Sequence, residues 1–378
     1  MIPFNLPTKT GAEAGHIAKV LEQTYLTARN YHKTCQAWLQ ETLERKAVLL
    51  TPSCTHALEM AAILLNLKPG DEIIMPSYTF VSTANAFAMH GGTPVFVDIR
   101  PDTMNINEQL IEAAITQRTR AIVVVHYAGV ACDMETIGNL AKRYGLVVIE
   151  DAAHAMLAKW RNRYLGTIGS MATFSFHETK NITAGEGGCL VLNDEVYASR
   201  ADILQHKGTN RTAFQRGETD KYSWVDIGSS WAMSELSAAY LYGNLQSAEA
   251  ITAKRTALWD RYSTALSPLH EKGHVTLPVI PPECIPNAHI FYLKLRDKSQ
   301  RDDFINVLRS KKIDPAFHYV PLHSAPAGLK YGRFSGEDRF TTIESERLVR
   351  LPLYYNLTPE SADMVIAAIY DYFRVQRP

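Results

Sequence analysis

The chain is 378 residues long, 46% hydrophobic and 10% aromatic, which is enough to bury a sizeable core and excludes a mini-protein. Charged residues make up 21%, too few for a disordered solvating chain, and 39 Lys and Arg balance 39 Asp and Glu. No global field therefore draws in nucleic acid or an anionic membrane, and any bound anion must be held by a local site. The five cysteines, Cys35, Cys54, Cys132, Cys189 and Cys284, are odd in number, far apart and never C-x-x-C, which argues against a disulfide framework or a zinc ribbon. Met1 is followed by no basic-then-apolar leader, and no apolar run has the length of a membrane span, so a cytoplasmic protein without a membrane partner is expected.

Taken in chain order, Leu58, Ala61, Ala62 and Leu65 fall at i, i+3, i+4 and i+7 and predict a helix over 55–67, stopped by Pro69-Gly70. Short β-branched runs then predict strands at 72–75, 95–97, 121–125, 147–150, 172–176 and 188–192, with a helix near 135–144 between the third and fourth. Their near-continuous apolar character points to a mostly parallel sheet buried on both faces. Leu236, Ala239, Tyr240, Gly243, Leu258, Tyr262 and Leu266 predict one long helix over about 234–266 that bridges two units. The Pro-rich stretch at 277–282 reads as a connection, followed by a strand at 289–295 and helices at 301–311 and 361–373. The expected architecture is α/β, with a large domain over 1–245 and a smaller C-terminal α+β domain over 246–378.

In open α/β sheets the ligand crevice lies beyond the carboxyl ends of the strands, and three places there carry polar residues. The first, Thr51-Pro52-Ser53-Cys54-Thr55-His56, opens a helix and is either an ordinary N-cap or an anion site built on free N–H groups. The second is Glu150-Asp151-Ala152-Ala153-His154. Side chains alternate along a strand, so one carboxylate faces the crevice; Asp151, followed by two small residues, is the choice over a simple loop cap. The third is the loop 175–188, where Lys180 sits between a strand ending in Ser175 and a glycine-rich return, either as a solvated surface lysine or as an amine nucleophile. Together, a phosphate-accepting helix start, a strand-end acid and a crevice lysine are the parts that a pyridoxal 5'-phosphate site needs. No G-x-x-x-x-G-K-[ST] occurs, and the 13 histidines form no H-E-x-x-H, so neither a nucleotide hydrolase nor a metal site is expected.

The string Ser175-Phe176-His177-x-x-Lys180-Asn181-Ile182-x-x-Gly185-Glu186-Gly187-Gly188 resembles the core motif of the DegT/StrS-type sugar aminotransferases (DegT/DnrJ/StrS), which act on nucleotide-linked keto sugars. Pro76 to Asn85, Val97-Asp98, Glu150 to His154 and His318 to His323 match in the same order, so the likeness spans nearly the whole chain. It implies the type I aminotransferase fold, pyridoxal 5'-phosphate as cofactor, and a homodimer with shared sites. It makes Lys180 the Schiff-base lysine and proton shuttle, Asp151 the partner of the ring nitrogen, and Phe80 a stacking ring. Ser175, Thr55 and His56 become phosphate ligands and His154 a neighbour of the ring, while His318 and His323 become candidates for sugar-nucleotide contacts.

Where many members carry G-x-N-x-R-M-S, this chain has Gly228-Ser229-Ser230-Trp231-Ala232-Met233-Ser234, so Ser230 replaces an Asn that reaches the partner's cofactor. With Lys207 to Arg211, Asp220 to Tyr222 and His126 to Cys132, this narrows the resemblance to the branch that makes the amino sugar of enterobacterial common antigen. That branch implies dTDP-4-keto-6-deoxyglucose as acceptor and L-glutamate as donor. Amination at C3, another configuration, or a non-catalytic regulator on the same fold are the rival readings. Thr24 to Asn30 lacks the glycines usual in the gate at this point of the family.

Overall fold

The computed structural model of the chain describes residues 1–26 and 29–377. Its centre is an eight-stranded sheet whose strands lie in the order Ala47–Thr51, Gly188–Leu192, Met171–Ser175, Val147–Asp151, Thr119–Val125, Glu72–Pro76, Thr93–Val97 and Arg333–Phe334. Every strand runs parallel to the rest except Gly188–Leu192, which pairs antiparallel on both sides. Helices cover both faces, and Ile74, Val97, Ile122 and Val124 fill one core layer while Ile73, Met75, Val123 and Ile149 fill the other. This two-sided burial is why the strands carry continuous apolar runs. The six strands expected from the sequence are present. Ala47–Thr51 and Arg333–Phe334 were not foreseen.

The pattern read as one helix over 234–266 is two. Glu235–Leu245 packs against Glu13–Leu21 and Asn30–Leu43, whereas Ala248–Glu271 packs against Pro359–Phe373. The turn at Gln246 and Ser247 contains neither Gly nor Pro, so helical spacing continues in the sequence through a break between two helices.

A second apolar core, with Leu258, Tyr262, Leu266, Phe291, Phe304, Ile366 and Ile369, lies under the last third of the chain. Ile2 joins it and bridges to Ile313. The strand expected over 289–295 is shorter, Tyr292–Lys294, paired with Leu348–Arg350. The carbonyls of Ala288 and His289 instead accept from the buried Arg255 guanidinium (3.1 and 2.8 Å), and that of Ile290 accepts from Trp259 Nε1 (3.1 Å). Side chains of the long helix thus take the carbonyls a strand neighbour would have used. All five cysteines are free thiols. Among the described residues no helix is long and apolar enough to cross a membrane.

Candidate active site

A cavity of about 600 Å³ opens at the carboxyl ends of the parallel strands, between the large sheet and the second core. One wall is the start of the helix Cys54–Leu64. Ser53 is its N-cap in extended conformation, its Oγ accepts from the backbone N–H of His56 (3.2 Å), and Cys54 and Thr55 in the first turn line the cavity. This start is held in place by the pairing of Thr51 with Gly188. Only glycine fits at 188, because a Cβ there would clash with the backbone of Ser53 and Cys54. Thr55 Oγ1 meets Ser82 Oγ at 2.8 Å, and Ser175, at the end of its strand, faces the same wall.

The floor is Asp151. Its Oδ2 accepts from Thr83 Oγ1 (2.7 Å) and its Oδ1 from the N–H of Ala153 (3.2 Å), while burial raises its pKa against these contacts. Glu150 points the other way and is buried, accepting from His126 Nε2 (2.9 Å) and the N–H groups of Gly166, Ile168 and Gly169 (2.6 to 2.7 Å). Burial raises its pKa too, but the hydrogen bond from His126 and those backbone donors outweigh it and bring it below the usual value.

Lys180 enters from the loop between Ser175 and Gly188, which closes on itself through Phe176 N–H to Gly187 O (2.8 Å) and Ala184 N–H to Phe176 O (2.8 Å). Next to it, the buried Asn181 is tied to Asn287 O (2.8 Å), His289 Nδ1 (2.9 Å) and Thr8 Oγ1 (3.0 Å). Burial pushes the Lys180 ammonium down from 10.5 to about 8; Cys54 and Asp151 oppose this and Arg350 adds to it.

Opposite stand His154, His289, His318 and Tyr319, with His154 and Tyr319 rings nearly parallel and Tyr319 Oη 3.2 Å from His154 Nε2. His318 Nδ1 meets Tyr127 Oη at 2.9 Å. Burial holds all three histidines well below their usual pKa, hence neutral. Phe80 precedes the helix Val81–Met89 and stands 56% exposed at the cavity mouth, its ring 6.4 Å from that of Tyr319.

The structure therefore gathers Thr55, Phe80, Asp151, His154, Ser175, Lys180 and His318 around one cavity. Three expected residues lie off its wall. His56 turns its ring to Ser53 Oγ (3.0 Å), and His323 is held between Ser77 Oγ (2.7 Å) and Asp338 (3.1 Å). Ser230 is exposed on an extended segment bridged to His206. Of the gate stretch, Thr27 and Ala28 lie outside the described residues. Residues not foreseen at the cavity include Phe4, His289, Tyr319 and Arg350. Tyr319 sat inside a noted motif and could have been found; Arg350 follows an unremarkable apolar pair.

The donor set suits pyridoxal 5'-phosphate. Free helix N–H groups with the hydroxyls of Thr55 and Ser175 suit a phosphate, a buried carboxylate suits a pyridinium nitrogen, and a lysine with a lowered pKa suits a carbonyl.

The sequence pattern of the DegT/DnrJ/EryC1/StrS aminotransferase family matches residues 7–370. The chain is 33% identical over 364 residues to the uncharacterized protein MJ1066 of Methanocaldococcus jannaschii, covering 94% of each. Its fold superposes on the aminotransferase TlmJ of Streptoalloteichus hindustanus with a TM-score of 0.91 at 27% identity, covering 99% of both chains. DesV of S. venezuelae, solved in complex with a ketimine intermediate, gives a TM-score of 0.87 at 31% identity, covering 95% of this chain and 94% of that one.

Proposed function

Because the chain belongs to the DegT/DnrJ/EryC1/StrS family of pyridoxal-phosphate-dependent aminotransferases, we propose that it transfers the amino group of L-glutamate to C4 of a nucleotide-linked 4-keto-6-deoxy sugar. We take dTDP-4-keto-6-deoxyglucose as acceptor and dTDP-4-amino-4,6-dideoxygalactose as product, for the amino sugar of enterobacterial common antigen, in the cytoplasm. The observation that supports this reading best is the meeting of Lys180, Asp151 and the Cys54–Leu64 helix start in one cavity.

Bound pyridoxal phosphate supplies a carbonyl that accepts and returns an amino group, and a ring that delocalises the negative charge left when a proton departs. The chain's residues do the rest. Lys180 Nζ anchors the carbonyl, takes the proton from Cα of the donor, and in the second half of the cycle delivers a proton to C4 of the sugar from one face. A pKa near 8 leaves a useful fraction of Lys180 as free base at neutral pH. Asp151 holds the ring nitrogen in its protonated form, with Thr83 and Ala153 fixing its orientation. The N–H groups of Cys54 and Thr55, with the Thr55 and Ser175 hydroxyls, would hold the phosphate, His56 supporting the turn through Ser53. Phe80 and His154, both on the cavity wall, would border the ring.

The sugar nucleotide enters past His318 and Tyr319, with His323 supporting that segment through Ser77. In this reading residues 1–245 carry the cofactor, residues 246–378 close the cleft, and a second copy completes each site through the segment around Ser230. The test is incubation of the holoenzyme with glutamate and dTDP-4-keto-6-deoxyglucose, followed by NMR assignment of the aminated carbon from its couplings. An axial amine at C4 and an inert Lys180→Ala chain are expected; a C3 amine or an equatorial C4 amine rejects the substrate assignment.

A further inference from the structure

Asn181 follows Lys180 directly, and one short segment engages both ends of its buried carboxamide. Its Nδ2 donates to Asn287 O (2.8 Å), and its Oδ1 lies 2.9 Å from His289 Nδ1. The Asn287 carbonyl can only accept, which sets the orientation of the amide. Oδ1 can only accept in turn, so His289 Nδ1 carries the ring proton. Burial keeps that imidazole neutral, well below its usual pKa, and Nε2 is then the bare nitrogen.

The segment is built to hold this shape. Ala288, between the two partners, has a φ of 52°, left-handed backbone that a residue with a Cβ adopts at a cost. The buried Arg255 guanidinium holds it there, donating to the carbonyls of Ala288 (3.1 Å) and His289 (2.8 Å). The Asn287 side chain donates to the carbonyls of His154 (2.8 Å) and Met156 (2.9 Å), while its Oδ1 accepts from the His289 N–H (3.2 Å). Gly129 makes room for it, since a Cβ there would run into Asn287 Oδ1. A strained turn whose two sides meet a single amide, inside a network that uses both ends of both amides, is more than packing alone requires.

Among the described residues Lys180 itself makes one hydrogen bond, from its N–H to His177 O within the same loop (2.9 Å). Its anchorage to the rest of the molecule passes through Asn181, whose backbone carbonyl also accepts from Thr8 Oγ1 (3.0 Å). We propose that Asn181 is the positioning residue of Lys180, oriented by the Nδ1–H tautomer of His289, so that the lysine keeps its place and its shelter from water while it moves protons. This rests on the aminotransferase reading above.

The experiment follows the pH dependence of trinitrophenyl labelling at Lys180 in the full cofactor-free chain, read by peptide mass spectrometry, for wild type, Asn181→Ala, His289→Leu and His289→Asn. Each substitution exchanges one neutral group for another, so a moved midpoint reports the lysine's surroundings and not a new charge. The wild-type midpoint is expected at about 8. A lysine let into water titrates at about 10.4, so Asn181→Ala and His289→Leu are expected to raise the midpoint by about one pH unit or more. Asparagine carries its amide nitrogen where histidine carries Nδ1 and can still donate to Asn181, so His289→Asn is expected to stay within about 0.3 of the wild type. Lower thermal stability with the midpoint unmoved in Asn181→Ala and His289→Leu overturns the inference. Equal rises in both His289 variants overturn it too, because ring bulk and not the donated hydrogen bond would then be responsible. The His289 pair probes the bond from its other end, so the test stands even where Asn181→Ala does not fold. A wild-type holoenzyme whose visible absorbance ignores glutamate sinks the aminotransferase reading, whereas the labelling midpoints judge the Asn181–His289 tie on their own.

Discussion

In the proposed mechanism Lys180 is the residue on which the chemistry turns, and its charge state follows from where the loop puts it. Water is excluded from the ammonium more than Asp151 and Cys54 compensate, so its pKa falls from 10.5 to about 8. In the cofactor-free chain, the rate at which a trinitrophenylating reagent labels Lys180 is expected to rise through about pH 8 and then level off; a midpoint near that of a free lysine is the opposite outcome. The same shift has a sign for stability. A lysine that binds its proton more weakly folded than unfolded works against the fold at low pH. Its penalty is full below about 8 and fades as pH rises toward the unfolded value of about 10.4. At this scale the sequence was informative wherever a backbone rule applied. Alternation along 147–151 separates Asp151, on the cavity, from Glu150, in the core. It was silent where the third dimension decides: His56 and His323 bond to neighbours off the wall, while Arg350 reaches the cavity with no motif around it.

Among the elements, the strand Ala47–Thr51 matters most for the site. It was hidden because its short run, Ala-Val-Leu-Leu-Thr, lies directly before the helix start and merges with it, yet its pairing with Gly188–Leu192 seats that start against Gly188. Gly188→Ala drives a methyl into the backbone of Ser53 and Cys54. The chain must shift, so pyridoxal phosphate titration is expected to show at least a tenfold weaker affinity, and denaturant unfolding a loss of about 1–3 kcal/mol. Gly138→Ala is the matched control: it lies in the helix Met134–Tyr144 with nothing near the added methyl, and should keep cofactor affinity while gaining up to about 1 kcal/mol. The merged reading of 234–266 failed for a related reason. Hydrophobic spacing records which face is buried, and here both helices bury a face, though against different partners.

For the whole molecule, the neutral charge balance and the two cores were foreseeable from length and composition, but the way the chain returns between them was not. Ile2 packs in the C-terminal core, Cys284–Ile285 pairs with Lys159–Trp160, and Arg333–Phe334 extends the large sheet. Short β-contacts of two or three residues carry too little pattern to be read from a sequence. Tyr222, Trp224, Val225 and Ile227 are exposed in the segment leading to Ser230, with Trp224 81% accessible, which is where the proposed second copy would dock. Sedimentation is expected to give a dimer for the wild type and a monomer of low activity for Trp224→Glu; a wild-type monomer rejects the shared-site proposal.

The pairing of Thr51 with Gly188 also sets when the site can exist. It closes a loop of roughly 140 residues, and long-range closures of this kind come after local helices in folding. The proposed phosphate cradle is therefore assembled only once the central sheet has its native order. A nascent or partly folded chain has nothing for the cofactor to grip. Cofactor capture then acts as a late lock on a topology already reached, stabilising the finished fold by mass action without guiding the chain toward it.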